Sequence, residues 1–279
     1  MLRLALDSSL AIRPLLQSIK YKRDFKRKHP YYFDPCGTSI FCGKQGEGKT
    51  LSAVKYINKC LSYYPYAILV SNTAIKDHPF NAHMEGHEVI DNETGYVITT
   101  NSILDGTYSN VCVEYNGLDC LKDVNNGEYG VLYFIDEIHL EFNSLESKNI
   151  DIDIMVEISQ QRKQRKHIVG TSQIFMRMAK PLREQINDIV LCHCVGGYLQ
   201  INKYVDGQTV REENGKIQAE VKKNQFFFHS PRDYEQYDTY AKMRRYRDEW
   251  QGRSRNGYDP YNYDEGVTVN AKRRVRVYT

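Results

Sequence analysis

The sequence predicts an α/β fold with a central, mostly parallel sheet flanked by helices, on three observations. The first is an apolar run, Ser39-Ile40-Phe41-Cys42, that passes into the glycine-rich stretch Gly43-Lys44-Gln45-Gly46-Glu47-Gly48-Lys49-Thr50. A helix-period segment follows, in which Leu51, Val54, Ile57 and Leu61 recur at spacings of three and four. The second is a short buried-type strand after that helix, Tyr66-Ala67-Ile68-Leu69-Val70, which completes a βαβ unit. The third is Gly130-Val131-Leu132-Tyr133-Phe134-Ile135-Asp136-Glu137, a continuous apolar run capped by two acids, as a buried parallel strand reads.

The glycine-rich stretch satisfies G-x-x-x-x-G-K-[ST] in full, between a strand and a helix, which is the context a P-loop requires. Gly43, Gly46 and Gly48 can take backbone conformations closed to residues with a Cβ, so successive N–H groups can turn inward around an anion. Lys49 brings a compact positive charge toward β and γ phosphates. The Thr50 hydroxyl can ligate Mg²⁺ at the start of a helix whose dipole also favours anions. The candidate nucleotide-binding set is Gly43, Lys44, Gln45, Gly46, Glu47, Gly48, Lys49, Thr50 and Leu51. The two acids fall at a strand's C-terminal end, where ligands bind in open α/β sheets. Asp136 would hold Mg²⁺ through its water shell, and Glu137 would orient and deprotonate the water attacking a γ phosphate.

Further candidates lie downstream. The strand His167-Ile168-Val169-Gly170-Thr171-Ser172-Gln173 ends in hydroxyls and an amide; Gln173 could touch the attacking water or the γ phosphate, with an ordinary strand-end turn as the plainer reading. Arg177 and Arg183 lie between Met176 and Asn187, a segment expected to be helical after Pro181. Either could act as a finger into a neighbouring copy's nucleotide, and a surface ion pair is the plainer reading for each.

At 279 residues, the chain can hold one large α/β domain with appendages. Its 38 basic and 35 acidic residues, a net charge of +3, do not by themselves announce nucleic acid. Distribution matters more. Lys20, Lys22, Arg23, Lys26, Arg27 and Lys28 stand against the single acid Asp24, and the last stretch, Lys272-Arg273-Arg274-Val275-Arg276, is strongly basic. From residue 230 onward tyrosines and arginines interleave, a pattern that suits stacking on bases and contact with phosphates, or simply a solvated tail. Seven cysteines, an odd number, suggest reduced thiols rather than a disulfide framework, and Cys192-x-Cys194 reads as strand packing before a zinc site. There is no run of eighteen apolar residues and no signal-peptide order at the start, so a soluble, cytoplasmic protein is expected.

The expected organisation is a basic N-terminal arm over 1–35, a P-loop domain over 36–229 and a Tyr/Arg-rich C-terminal extension over 230–279. Within the middle part, 74–128 reads as a small β insertion: Glu88-Val89-Ile90 and Tyr96-Val97-Ile98 flank a turn, and Asn110 to Glu114 is strand-like. A helix is expected over 151–166 with a basic end at Arg162, Lys163, Arg165 and Lys166. A closing core strand is expected over Ile189 to Cys194, then an edge hairpin from Tyr198 that turns at Asp206-Gly207 and continues through Phe228.

Taken together, the P-loop at 43–50, Asp136-Glu137-Ile138-His139, the strand end Thr171-Ser172-Gln173 and Arg183 ahead of Asn187-Asp188 resemble the zonular occludens toxin (Zot)-like ATPases of phages, within the FtsK/HerA group of DNA-pumping motors. Ser71-Asn72 and Tyr115-Asn116-Gly117 also look like that family, and the likeness covers roughly residues 36–205. The resemblance implies a RecA-like ASCE sheet with the Thr171 strand between the P-loop and Asp136 strands. It further implies ATP with Mg²⁺ as cofactors, Glu137, Lys49, Gln173 and Arg183 as catalytic residues, and Thr50 and Asp136 as the metal set. The implied partners are phage or plasmid DNA and further copies of the chain in a hexameric ring, in the host cytoplasm. Members from filamentous phages carry a transmembrane segment after the ATPase part; its absence here favours genome packaging or another DNA-motor task. The competing expectation is an assembly or secretion ATPase that rearranges proteins at a capsid or membrane without touching DNA.

Overall fold

Residues 2–145, 150–213 and 216–237 are described in the computed structural model, so most of the Tyr/Arg-rich extension lies outside the described residues. The chain runs α1 (Leu2–Lys28), β1 (Gly37–Cys42), α2 (Lys49–Tyr63), β2 (Ile68–Ser71), β3 (Ala82–Glu85), β4 (Glu88–Asp91), α3 (Thr100–Leu104), β5 (Cys112–Glu114) and α4 (Cys120–Asp123). It continues through β6 (Val131–Ile135), α5 (Ile152–Ser159), α6 (Gln161–Gln164), β7 (Lys166–Ser172), α7 (Lys180–Arg183) and β8 (Ile186–Val195). The last described elements are β9 (Leu199–Asp206), β10 (Arg211–Glu213), β11 (Lys216–Gln218), β12 (Val221–Phe228) and α8 (Pro231–Tyr234).

Ten strands form one sheet in the order β12-β9-β8-β1-β7-β6-β2-β5-β3-β4. The centre, β8-β1-β7-β6-β2-β5, is parallel throughout. β7 lies between β1 and β6, as the resemblance implied. Every residue of β6 and β7 is buried, which is what a parallel strand covered on both faces requires. Alternation along β6 shows the two layers: Leu132 and Phe134 join the apolar cluster that includes Ile57 and Val54 of α2. Tyr133 points the other way, its hydroxyl donating to Cys120 O of α4 at 3.1 Å.

Three expectations change. Residues 110–114 do not belong to an antiparallel insertion: β5 pairs parallel with β2 in the main sheet, and the antiparallel hairpin is β3–β4 at the far edge. The helix expected over 151–166 ends early, because Arg165 takes a left-handed conformation (φ 58°) that turns the chain into β7. Lys166 is therefore not part of a solvated basic face. It is the first, 2 % exposed residue of β7, donating to Leu121 O at 2.6 Å and pairing with Glu157 at 3.4 Å.

The segment 176–187 is mostly not helical; α7 is a single turn, and β8 begins at Ile186, earlier than expected. The edge hairpin forms as expected: β9 leaves through the turn at Asp206-Gly207, the small β10–β11 pair follows, and β12 returns antiparallel to β9 as the edge strand through Phe228, while β8 also pairs antiparallel with β9 around Gly196-Gly197. The basic segment near the N-terminus lies on α1, with Lys26, Arg27 and Lys28 in its last turn. Among the described residues, no helix is long and apolar enough to cross a membrane.

Candidate nucleotide-binding site

The C-terminal tips of β1, β7, β6 and β2 lie side by side, so the residues that follow each strand converge on one rim of the sheet. The glycine-rich loop leaves β1 at Cys42 and enters α2 at Lys49, as the 43–50 pattern demands. At the N-cap, Gly48 holds φ 72°, a conformation that resists a side chain. At Gly43 the restriction is steric, since a Cβ would stand 2.8 Å from Cys192 O on β8. Lys49 is only 7 % exposed, and its Nζ donates to Lys44 O at 3.2 Å across the loop.

Asp136, one residue beyond β6, is met from both sides. Thr50 Oγ1 donates to its Oδ1 at 3.1 Å, and Thr171 Oγ1, from the neighbouring β7, donates to the same oxygen at 2.6 Å. Its backbone is clasped by the Asn72 side chain, which accepts from Asp136 N at 2.8 Å and donates to Asp136 O at 3.0 Å. Burial pushes the Asp136 carboxyl up from its usual range, and the two hydroxyls, together with the Lys49 charge, pull against that rise. Such a group is ionised most readily beside a cation.

Glu137 adopts φ 52°, a left-handed conformation uncommon for a residue with a Cβ. Its N–H donates to Thr171 Oγ1 at 2.9 Å, so one hydroxyl fixes both acids. Gln173 Nε2 donates to Glu137 Oε1 at 3.1 Å, and His139 Nδ1 lies 3.2 Å from Oε2. That last approach is close but poorly directed, and Oε2 is buried without a hydrogen bond. Burial holds the His139 ring below its usual pKa, with the Arg177 and Lys49 charges acting in the same direction.

These residues fit a triphosphate with Mg²⁺. A loop of backbone donors with a buried lysine faces one hydroxyl and one carboxylate, a sparse oxygen set of the kind Mg²⁺ uses while keeping most of its waters. Gln45 and Gly46 form the exposed tip of the loop, and Leu51 is buried beneath it. Among the described residues, no three His, Cys, Asp or Glu side chains gather closely enough to hold a metal ion by themselves.

Sequence reasoning brought together Lys49, Thr50, Asp136, Glu137 and Gln173, and the rim gathers all five. Arg183 donates to Met176 Sδ at 2.7 Å and lies 5.9 Å from the Phe175 ring. The Arg177 charge reaches the His139 ring. Sequence reasoning gave no role to Asn72, Thr171 or His139. Each sits at or a few residues past a strand end, and each falls inside a stretch that carries the family resemblance, Ser71-Asn72, Thr171-Ser172-Gln173 and Asp136-Glu137-Ile138-His139.

Glu47 turns away from the loop's concave side. It accepts from Cys194 N at 2.8 Å, lies 2.8 Å from His193 Nδ1, and has its pKa lowered first by that backbone bond.

No protein-family model matches the chain, and no curated protein does. Among solved structures the chain is similar to the N-terminal domain of zonular occludens toxin from Neisseria meningitidis, at 13% identity over 73% of this chain and 100% of that one, with a TM-score of 0.45. It is similar to the genome packaging NTPase B204 of Sulfolobus turreted icosahedral virus 2, at 11% identity over 71% of this chain and 98% of that one, with a TM-score of 0.43. A third likeness is to the flagellar accessory protein FlaH from Methanocaldococcus jannaschii, at 14% identity over 68% and 84% of the two chains, with a TM-score of 0.37.

Proposed function

We propose that the chain is an ATP-hydrolysing motor that packages or translocates phage or plasmid DNA, working as an oligomeric ring. One observation carries the hydrolytic part: Thr50 Oγ1 stands 3.1 Å from Asp136 Oδ1, with Glu137 beside it and held by Gln173. The loop N–H groups and Lys49 would bind the β and γ phosphates; Thr50 and Asp136 would hold Mg²⁺. The metal supplies charge neutralisation on the transferring phosphoryl group. Glu137 accepts the proton of the attacking water, and Gln173 keeps its carboxylate aimed. Arg183 would act on a neighbouring copy's nucleotide, since its own contacts are with Met176 and Phe175.

The DNA part is supported by the sequence resemblance and by the basic residues of α1 and of the C-terminal stretch, which suit phosphate contacts. A second reading, nucleotide-driven protein rearrangement, is favoured by Phe226, Phe228, Val195 and Tyr198. All four are well exposed at or near the β12 edge of the sheet, where a protein partner could cover them.

Hydrolysis by wild type, Lys49→Ala and Glu137→Gln, with and without double-stranded DNA, tests both. Lys49→Ala is expected to lose nucleotide binding. Glu137→Gln should retain binding while turnover falls about 10²–10⁴-fold. DNA should stimulate the wild type, with an effect that fades steeply as salt rises. Hydrolysis indifferent to DNA, with no DNA binding at low salt, would leave the protein-rearrangement reading in its place.

A further inference from the structure

The wing formed by β8, β9 and β12 backs directly onto the glycine-rich loop. Gln200 of β9 is 0 % exposed and lies behind the loop, its amide fully committed. Nε2 donates to Glu47 O at 3.0 Å and to Asn202 Oδ1 at 2.9 Å. Asn202 Oδ1 also accepts from Ser52 Oγ of α2 at 3.2 Å, so the amide bridges loop and helix. Gln200 Oε1 faces His229 Nε2 at 3.0 Å. Gly48 fits so closely against that oxygen that a Cβ there would collide with it.

The consequence for the loop follows from peptide geometry. In a trans peptide the carbonyl and the next N–H point in opposite directions. With Glu47 O drawn back onto Gln200, the N–H of Gly48 is turned away from β9, toward the side on which a phosphate would sit. A reversed amide would put its oxygen against Glu47 O, which repels it. His229 prevents that reversal by requiring an acceptor on its own side. With Gln200 Nε2 committed to two acceptors, Nε2 of His229 carries hydrogen toward Gln200 Oε1, and Nδ1 faces the Tyr234 hydroxyl, which also stands 3.1 Å from Gly197 O.

We propose that Gln200 is a positioning residue for the phosphate-binding loop, holding the Glu47–Gly48 peptide with its N–H toward the anion, and that His229 sets the sense of the Gln200 amide. The ligand class is the polyphosphate of a nucleoside triphosphate, and the inference rests on the nucleotide-binding reading above.

The test uses the full chain, the Mg²⁺ complex of the non-hydrolysable analogue AMPPCP, and steady-state ATP hydrolysis. Gln200→Glu has the same shape but no donor, and it sets a carboxylate against Glu47 O. Its affinity for the analogue should fall by about tenfold or more, as expected when one hydrogen bond is removed and repulsion added. KM should rise by a similar factor with kcat changed much less, because Glu137 and Thr171 do not touch Gln200. His229→Leu, at a half-buried position, should weaken binding by a smaller factor, and His229→Gln, which restores an N–H donor, should recover it.

Melting curves without nucleotide identify a variant that merely misfolds; should Gln200→Glu do so, the His229 pair carries the test. Gln200→Glu or His229→Leu binding like wild type, while Lys49→Ala has lost binding, would overturn the inference and leave the nucleotide site standing. A wild type that binds no nucleotide would overturn both.

Discussion

Thr171 joins the two acids of the site through a single oxygen. It donates to Asp136 Oδ1 at 2.6 Å and accepts from Glu137 N at 2.9 Å, so it fixes the side chain of one and the backbone of the other. Thr171→Val keeps the volume and β-branched shape of this 0 % exposed residue while deleting both hydrogen bonds. A hydrogen bond to a charged group is worth about 1.5–3 kcal/mol. Hydrolysis should therefore fall by roughly 10- to 150-fold, while affinity for a non-hydrolysable analogue changes only a few-fold. Single-turnover rates beside equilibrium binding separate the two effects. Lys49, Thr50, Asp136 and Glu137 were legible because residue type and spacing mark them. Thr171 and Asn72 were not, because a hydroxyl or an amide at a strand end is common, and only the neighbouring strand shows which acid it meets.

At the level of elements, β7 occupies the centre of the sheet, and its buried polar groups show how tightly it is held. His167 is 3 % exposed; its Nδ1 donates to Gly37 O at 2.9 Å, and its Nε2 lies 3.0 Å from the Tyr56 hydroxyl of α2. Burial pushes its pKa from 6.5 down to about 4. Between those values the unfolded chain binds a proton that the folded chain refuses, so stability is fully present above about 6.5 and declines as pH falls toward about 4. The decrease from this residue between about pH 7 and about pH 5 should be about 2 kcal/mol. His167→Gln, which keeps a donor for Gly37 O but does not titrate, should flatten that part of the pH dependence; urea unfolding midpoints across the range check it. Strand runs such as β6 and β7 were readable because they are buried on both faces and therefore continuously apolar. The helix expected through Lys166 was misread because a long basic side chain on a helical period looks the same whether it meets water or the carbonyl of Leu121.

For the whole molecule, charge placement is the property that matters. The net charge is only +3, yet residues 244–279 carry nine basic against five acidic side chains. If this stretch binds DNA as proposed, replacing Lys272, Arg273, Arg274 and Arg276 by alanine should leave basal hydrolysis unchanged. It should reduce DNA affinity and lower the salt dependence of binding by roughly 0.9 in log–log slope for each phosphate no longer neutralised. Filter binding or fluorescence anisotropy over a salt series measures it, and an unchanged slope would assign DNA binding to another part of the chain.

The sequence by itself determined the strand–loop–helix proposed to cradle a phosphate, the acidic strand beside it and the parallel sheet that presents both. Each of these is a local pattern of residue type and period, set by backbone freedom and burial. Only the tertiary structure decided that β9 would supply Gln200 behind the loop, that Thr171 would bind Asp136 and that the Arg177 charge would reach His139. Those interactions join residues far apart in the chain, and strand order and register, set by packing of the whole sheet, determine which of them meet.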